Sequence, residues 1–319
     1  MTLYCPVRRI TPAAVGKTAV RAAIHEATAT PKPGLVCPDS AGAHRDMDIS
    51  TMVASALSLE PYFRRAAALG MDDAEAPPQD VFRRLRGLGR AAEETMLAST
   101  GGVNTHKGLI FSLGILAAAL GRNEALERGL DCAPVCATAA TLVRGLTEND
   151  FGPFRSLRRS GLAESGLLRR GRLIAGRSLT AGEKFFLLYG IKGIRGEAEQ
   201  GFPHVLAAKA EFDRWIGGHS LNIASINALL LLMRDMADTN VLHRGGLAGL
   251  ELVRGEARRA LDAGGAATPE GVRLLRAMQR RFIVDNLSPG GCADLLAIVL
   301  FFHFLATGPA APDPLREAP

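Results

Sequence analysis

Almost nowhere does this chain alternate apolar and polar residues at the two-residue period of a strand, and runs rich in β-branched residues are nearly absent. Apolar residues recur instead at helical spacing. Leu109, Leu113, Leu116 and Leu120 stand at i, i+4, i+7 and i+11, and Val15, Ala19, Ala22, Ala23 and Ala27 follow the same period. The expectation is an all-α chain forming a single multi-helix globular domain over residues 1–319 with no fixed repeat. At 319 residues the chain can bury a substantial core, which 47% hydrophobic content with only 5% aromatics makes rich in Ala and Leu.

Punctuation divides the pattern. Helices are expected at about 11–28 and 50–69, from beyond a surface loop at 72–80 to about 97, over 109–120, within 123–149 and at 220–237. Thr180 and Glu183 have capping-box spacing ahead of Phe185. Residues 190–203 read as a long glycine-punctuated turn, and 238–246 as the turn closing the 220–237 helix. Ser288 is the expected N-cap, with Pro289 at the first position, of the final helix. Its greasiest run, 295–306, is too short to span a bilayer and reads as core.

No secretory signal is visible in the first twenty residues, and five scattered cysteines suit a reducing compartment; a cytoplasmic protein without a membrane span is expected. Cys132 and Cys136 lack a second ligand pair for zinc and read as packing. Residues 154–184 carry eight basic and two acidic side chains, which accounts for the whole formal charge of +6. No aromatics alternate with these arginines, which argues against nucleic acid. A solvated loop, flexible over 151–179, or a face for an acidic partner remains.

Polar residues collect in the breaks between helices. A histidine precedes a basic residue at His44-Arg45, His106-Lys107 and His243-Arg244, against about 0.8 such pairs expected by chance. Lys32 and Arg195 lie in similar glycine- or proline-rich turns. Lys107 opens a helix behind Asn104, where a cation conflicts with the helix dipole unless an anion lies between them; a hinge lysine is the alternative. Asp46 and Asp48, two apart beside His44 and Arg45, Asp238 and Asp294 at helix ends, and Glu197 and Glu199 supply oxygen ligands of the kind Mg²⁺ shares with phosphates. Asp294 could equally be a helix-dipole residue, and His25, His204, His219 and His303 read as structural.

Six segments in order, 31–36, 42–48, 101–108, 195–203, 238–246 and 287–295, resemble the triphosphoribosyl-dephospho-CoA synthase family. Cys37-Pro38 and Cys292 stand where that family's pattern leads one to expect an acidic-basic pair and a serine. The resemblance implies an all-helical enzyme that joins ATP to 3′-dephospho-CoA, keeps the triphosphate and releases adenine. Its product would be the prosthetic-group precursor for the carrier subunit of malonate decarboxylase or citrate lyase, attached by a separate transferase; a stand-alone chain of this length favours malonate decarboxylase.

On that resemblance, Asp46, Asp48 and Asp238 are expected to hold the Mg²⁺-triphosphate, with Lys32, Arg45, Lys107, Arg195 and Arg244 on phosphates. Asn104, Asn240 and Asp294 complete the substrate contacts. Glu197 is the expected base or cation stabiliser, and His106 or His243 the proton donor to adenine. A homodimer is compatible with the sequence. The rival readings are a Mg²⁺-dependent nucleotide or ribosyl hydrolase and a non-catalytic module that binds nucleotide or docks a carrier protein.

Overall fold

A computed structural model describes residues 9–159 and 179–308. The described residues form fourteen α-helices and one 3-10 turn, with no strand among them. The first seven helices are α1 (Pro12–Thr28), α2 (Ile49–Ser58), α3 (Glu60–Asp72), α4 (Pro78–Ser99), α5 (Lys107–Ala125), α6 (Cys132–Leu142) and α7 (Leu146–Arg159). After the break come α8 (Ala181–Tyr189), α9 (Gly193–Glu199), α10 (Pro203–Ile216), α11 (Leu221–Asp235), α12 (Thr239–Asp262), α13 (Pro269–Val284) and α14 (Gly290–Thr307).

The core lies where α14 and α5 meet their neighbours. Helix α14 packs on α1, α5, α10, α11 and α12. It is longer than the 295–306 run suggests and, by length and composition alone, could cross a membrane. Leu295, Leu296 and Ile298 to Phe302 are nevertheless buried inside the protein, which makes it a core helix here. Helix α5 lies against α3 so closely that a Cβ at Gly70, Gly114 or Gly121 would overlap the Ala118 carbonyl, the Tyr62 hydroxyl or the Ala67 carbonyl respectively. Tyr62 uses the same approach to donate to the Ile110 carbonyl oxygen at 2.9 Å. One apolar cluster runs through nearly all the helices, and a smaller one joins Phe151 and Phe154 of α7 to Phe186 and Leu187 of α8.

Several boundaries differ from the sequence expectation. The 50–69 helix is two, divided at Leu59 just ahead of Pro61. The turn expected over 190–203 contains α9, a helix of seven residues. Residues 239–246 start α12 rather than closing α11, and the break comes at Gly246, whose φ of 61° and ψ of −159° no helix accommodates. Residues 151–159, expected to be flexible, belong to α7; residues 160–178 of the basic window lie outside the described residues. The capping box is present with both arms, Thr180 hydroxyl to the Glu183 N–H and Glu183 carboxylate to the Thr180 N–H.

Candidate active site

The corners between these helices turn toward one cavity of about 1050 Å³. The α1–α2 loop contributes Lys32, His44 and Asp46, and the α4–α5 corner contributes Asn104 to Gly108. Lys192, Arg195, Glu197 and His204 come from α9 and its flanks. Asn240, His243 and Arg244 come from the first turns of α12, and Ser288 and Asp294 from the start of α14. Gly34 locks two corners together: its φ is +75°, and a Cβ there would overlap the Leu287 carbonyl oxygen.

At the α5 corner a carboxyl group of the chain itself, that of Asp294, lies against the first turn. His106 is the N-cap and gives no side-chain cap. Asn104 Oδ1 accepts from Lys107 N–H at 3.3 Å, and the Asp294 carboxylate takes the Leu109 N–H. A Cβ on Gly108 would overlap that carboxylate. Burial, reinforced by Glu26 and Asp238 nearby, raises the Asp294 carboxyl well above its ordinary range. Lys107 turns outward to Glu93 at 2.8 Å. The Gly108→Ala substitution is therefore expected to displace Asp294 and cut turnover about tenfold or more. Steady-state rates with full-length protein of normal thermal stability would check it.

Lys32 is 1% exposed and spends two N–H groups on Glu26, one on its carbonyl oxygen at 2.6 Å and one on its carboxylate at 2.5 Å. Both residues line the cavity, so one ammonium N–H is left for a ligand. His106 is also buried. Thr105 hydroxyl donates to Ser55 Oγ at 2.6 Å, and Ser55 lies 2.7 Å from His106 Nδ1. Ser55 Oγ, with two lone pairs, can either give its own proton to Nδ1 or accept one from it, and Nε2 is a buried atom with no hydrogen-bond partner among the described residues. Burial and the Lys32 charge lower this histidine to a pKa of about 4, so it stays neutral.

His44 is fixed in a comparable way. Arg244 donates to the Ala43 carbonyl oxygen at 2.8 Å and to Asn286 Oδ1 at 2.9 Å, and its second nitrogen lies 3.3 Å from His44 Nδ1. A guanidinium only donates, so Nδ1 accepts and His44 Nε2–H donates to Ser288 Oγ at 2.9 Å. Burial and then Arg244 lower the His44 pKa, against the pull of Asp46 3.8 Å away. Ser288 is thus bound to His44 rather than capping α14, whose N-cap is Pro289.

Three residues expected at the site do not line the cavity: Arg45, Asp48 and Asp238. Arg45 is exposed. Asp48 caps α2 in a capping box with Thr51, whose N–H and hydroxyl hold its carboxyl below the ordinary range. Asp238 is buried one layer behind: Oδ1 accepts from Asn240 N–H at 2.7 Å and Val241 N–H at 3.2 Å, and Oδ2 from Cys292 N–H at 2.9 Å. Arg195 donates to Asp150 at 2.6 Å with its guanidinium 5.7 Å from the Phe151 ring centre. Glu199 serves the Gly145 N–H and the Thr147 hydroxyl. Among the described residues no group of three or more His, Cys, Asp and Glu is placed to hold a metal. Cys132 and Cys136 Sγ atoms lie 3.9 Å apart on α6.

Three cavity residues escaped the sequence reading. Glu26 sits in an alanine-rich helix, and its partner Lys32, six positions on, is off helical spacing beyond the Thr30-Pro31 break. Lys192 lies in the corner read only as a turn. His204 looked solitary, yet its Nδ1 is 2.6 Å from Glu197 Oε2 and its backbone N–H donates to Glu197 Oε1 at 2.9 Å.

Fold and site together define an all-helical enzyme with one large cavity lined by several cationic side chains. The family CitG, ATP:dephospho-CoA triphosphoribosyl transferase, matches residues 12–311. The chain is 39% identical over 312 residues to the 2-(5''-triphosphoribosyl)-3'-dephosphocoenzyme-A synthase of Klebsiella pneumoniae, covering 96% of each chain. It is 38% identical over 297 residues to a protein of Albidiferax ferrireducens named as a probable synthase of the same kind, covering 90% of this chain and 89% of that one. No solved structure matches. The chain belongs to the ATP:dephospho-CoA triphosphoribosyl transferase family and is a transferase.

Proposed function

We propose that the chain transfers the triphosphoribosyl group of ATP to the 2′-hydroxyl of 3′-dephospho-CoA, releasing adenine. The observation that carries this reading is the meeting of all the cationic corners in one space. Lys32, Lys107, Lys192, Arg195 and Arg244 line a cavity of about 1050 Å³, at the top of the roughly 300–1,000 Å³ usual for one drug-sized ligand. Two nucleotides with many phosphate oxygens require both features.

Breaking the bond between C1′ and N9 builds positive charge on the ribose and negative charge on the base. His106 fits the second task. A neutral ring whose buried Nε2 has no partner of its own can offer a hydrogen bond to departing adenine in the tautomer that carries the proton there, and at a pKa of about 4 it acts as a donor rather than a full acid near neutrality. Asn104, Asn240, His243 and Asp294 remain for sugar, base and pantetheine contacts. Mg²⁺ fits as a companion of the triphosphate rather than a resident metal. Asp46 is an exposed carboxylate on the cavity, and Mg²⁺ needs only one or two such ligands beside phosphate and water. Asp48 Oδ1 is engaged at the start of α2, and the two oxygens of Asp238 at the starts of α12 and α14.

The test is to incubate the protein with MgATP, with and without dephospho-CoA, and quantify adenine and the coupled product by mass. Adenine should appear only with both substrates. Adenine from ATP alone would make the protein a hydrolase, and binding without adenine would make it a nucleotide-binding module. For the carrier served we keep malonate decarboxylase as the reading to test. The product would pass to a separate transferase. Deleting the gene should leave the malonate decarboxylase carrier without its prosthetic group while citrate lyase stays charged.

A further inference from the structure

Glu197 looks from the sequence like the base, but its carboxylate has another occupation. Its side chain is only 7% exposed, and both oxygens are engaged by His204. The backbone explains how. Glu197 lies near the end of α9, its carbonyl oxygen accepts the Phe202 N–H at 2.8 Å, and buried Phe202 turns through φ 57° directly before Pro203 opens α10. That tight reversal puts His204, second residue of α10, against Glu197. A carboxylate only accepts, so His204 Nδ1 carries its proton there. The other nitrogen, Nε2, lies on the far edge of a ring that is 34% exposed and lines the cavity. No other contact in the site combines a carboxylate with an imidazole in this way.

We propose that His204 is the general base of the transfer, with Glu197 as its positioning residue. This rests on the synthase reading above. In the step, the 2′-hydroxyl proton of dephospho-CoA passes to His204 Nε2 as its oxygen forms the new bond to C1′ of ATP. The bond from C1′ to N9 breaks, and its electron pair leaves with adenine, which takes a proton from water. The imidazolium returns its proton to solvent, and nothing is oxidised or reduced. The arrangement is the orienting logic of a carboxylate-histidine pair, in which the carboxylate fixes the tautomer and steadies the charged ring.

The charged groups facing His204 are Glu197 from α9, Asp235 at the end of α11 and Arg254 from α12. The hydrogen bond to Glu197 raises the pKa of His204 above the ordinary histidine value, against burial and Arg254. The base form therefore appears as pH rises through that value, giving kcat/KM an acidic limb. Glu197→Gln keeps an oxygen for the His204 N–H, so a residue that merely caps α10 would tolerate it. On the proposal it lowers the plateau about ten- to a hundredfold and moves the acidic limb to lower pH, because the neutral amide no longer favours the imidazolium. His204→Ala should lose about 10²- to 10⁴-fold in kcat with a much smaller change in KM, and added imidazole should restore part of it. Should the alanine variant not fold, His204→Gln carries the same expectation without rescue.

An acidic limb unmoved in Glu197→Gln, or a histidine variant within about threefold of the parent, overturns the assignment. Wild-type protein in the same assay separates this from the parent reading. If it releases adenine only with dephospho-CoA while the variants stay active, the base assignment alone has failed.

Discussion

Replacing Lys32 by methionine is expected to destabilise the fold by about 3–5 kcal/mol at neutral pH, because it strands the Glu26 carboxylate in the interior. The deficit should shrink in acid. Burial already raises the Glu26 carboxyl despite the Lys32 ammonium, and without that ammonium it rises further. A carboxyl whose folded pKa exceeds its unfolded one gains protons on folding, so the variant recovers stability as pH falls through that raised value toward the unfolded one. Denaturant melts at several pH values measure it. Adding Glu26→Gln to the same chain should return most of the loss, since no charge is then left unpaired. A single variant as stable as the parent, or a deficit independent of pH, would refute this account.

Asp238→Ala should cost about 2–4 kcal/mol, since three backbone N–H groups (Asn240, Val241 and Cys292) lose their acceptor. Asp238→Asn should cost less, because Oδ1 survives to cap α12, although its amide then opposes the Cys292 N–H. Thermal unfolding measures both. The kinetic counterpart separates a cap from a metal ligand: residual activity of Asp238→Ala should need no more Mg²⁺ than the parent, whereas Asp46→Asn should need more. A raised Mg²⁺ requirement in the Asp238 variant would return that residue to the metal.

What could be read from the sequence was what is decided locally. Leucine spacing announces α5, and the threonine-to-glutamate spacing at 180–183 announces a capping box that has both arms. The corners that line the cavity were also legible, because glycine, proline and isolated cations mark them. Roles inside the corners were not, because they depend on partners far away in the chain. Asp238 reads as a metal ligand from the sequence, and nothing near it announces that Cys292, 54 positions on, donates its N–H to the second oxygen. Ser288 reads as a cap until His44 arrives from 244 positions earlier. His204 seems alone because its partner is reached only through the left-handed turn at Phe202, and a seven-residue helix such as α9 is too short to show a period. Glu26 was the hardest, since one acid among alanines gives no hint of the lysine that folds back onto it.

No single helix forms the cavity; several lend it a corner, and the chain segments that meet there are up to about 270 positions apart. A molecule that touches several corners at once therefore acts as a non-covalent cross-link. Its binding free energy is returned as resistance to unfolding, growing with concentration above the dissociation constant. Heat and proteolysis will thus find a sturdier protein when nucleotide is plentiful, and in the cell the abundance of this chain becomes tied to the supply of what it consumes.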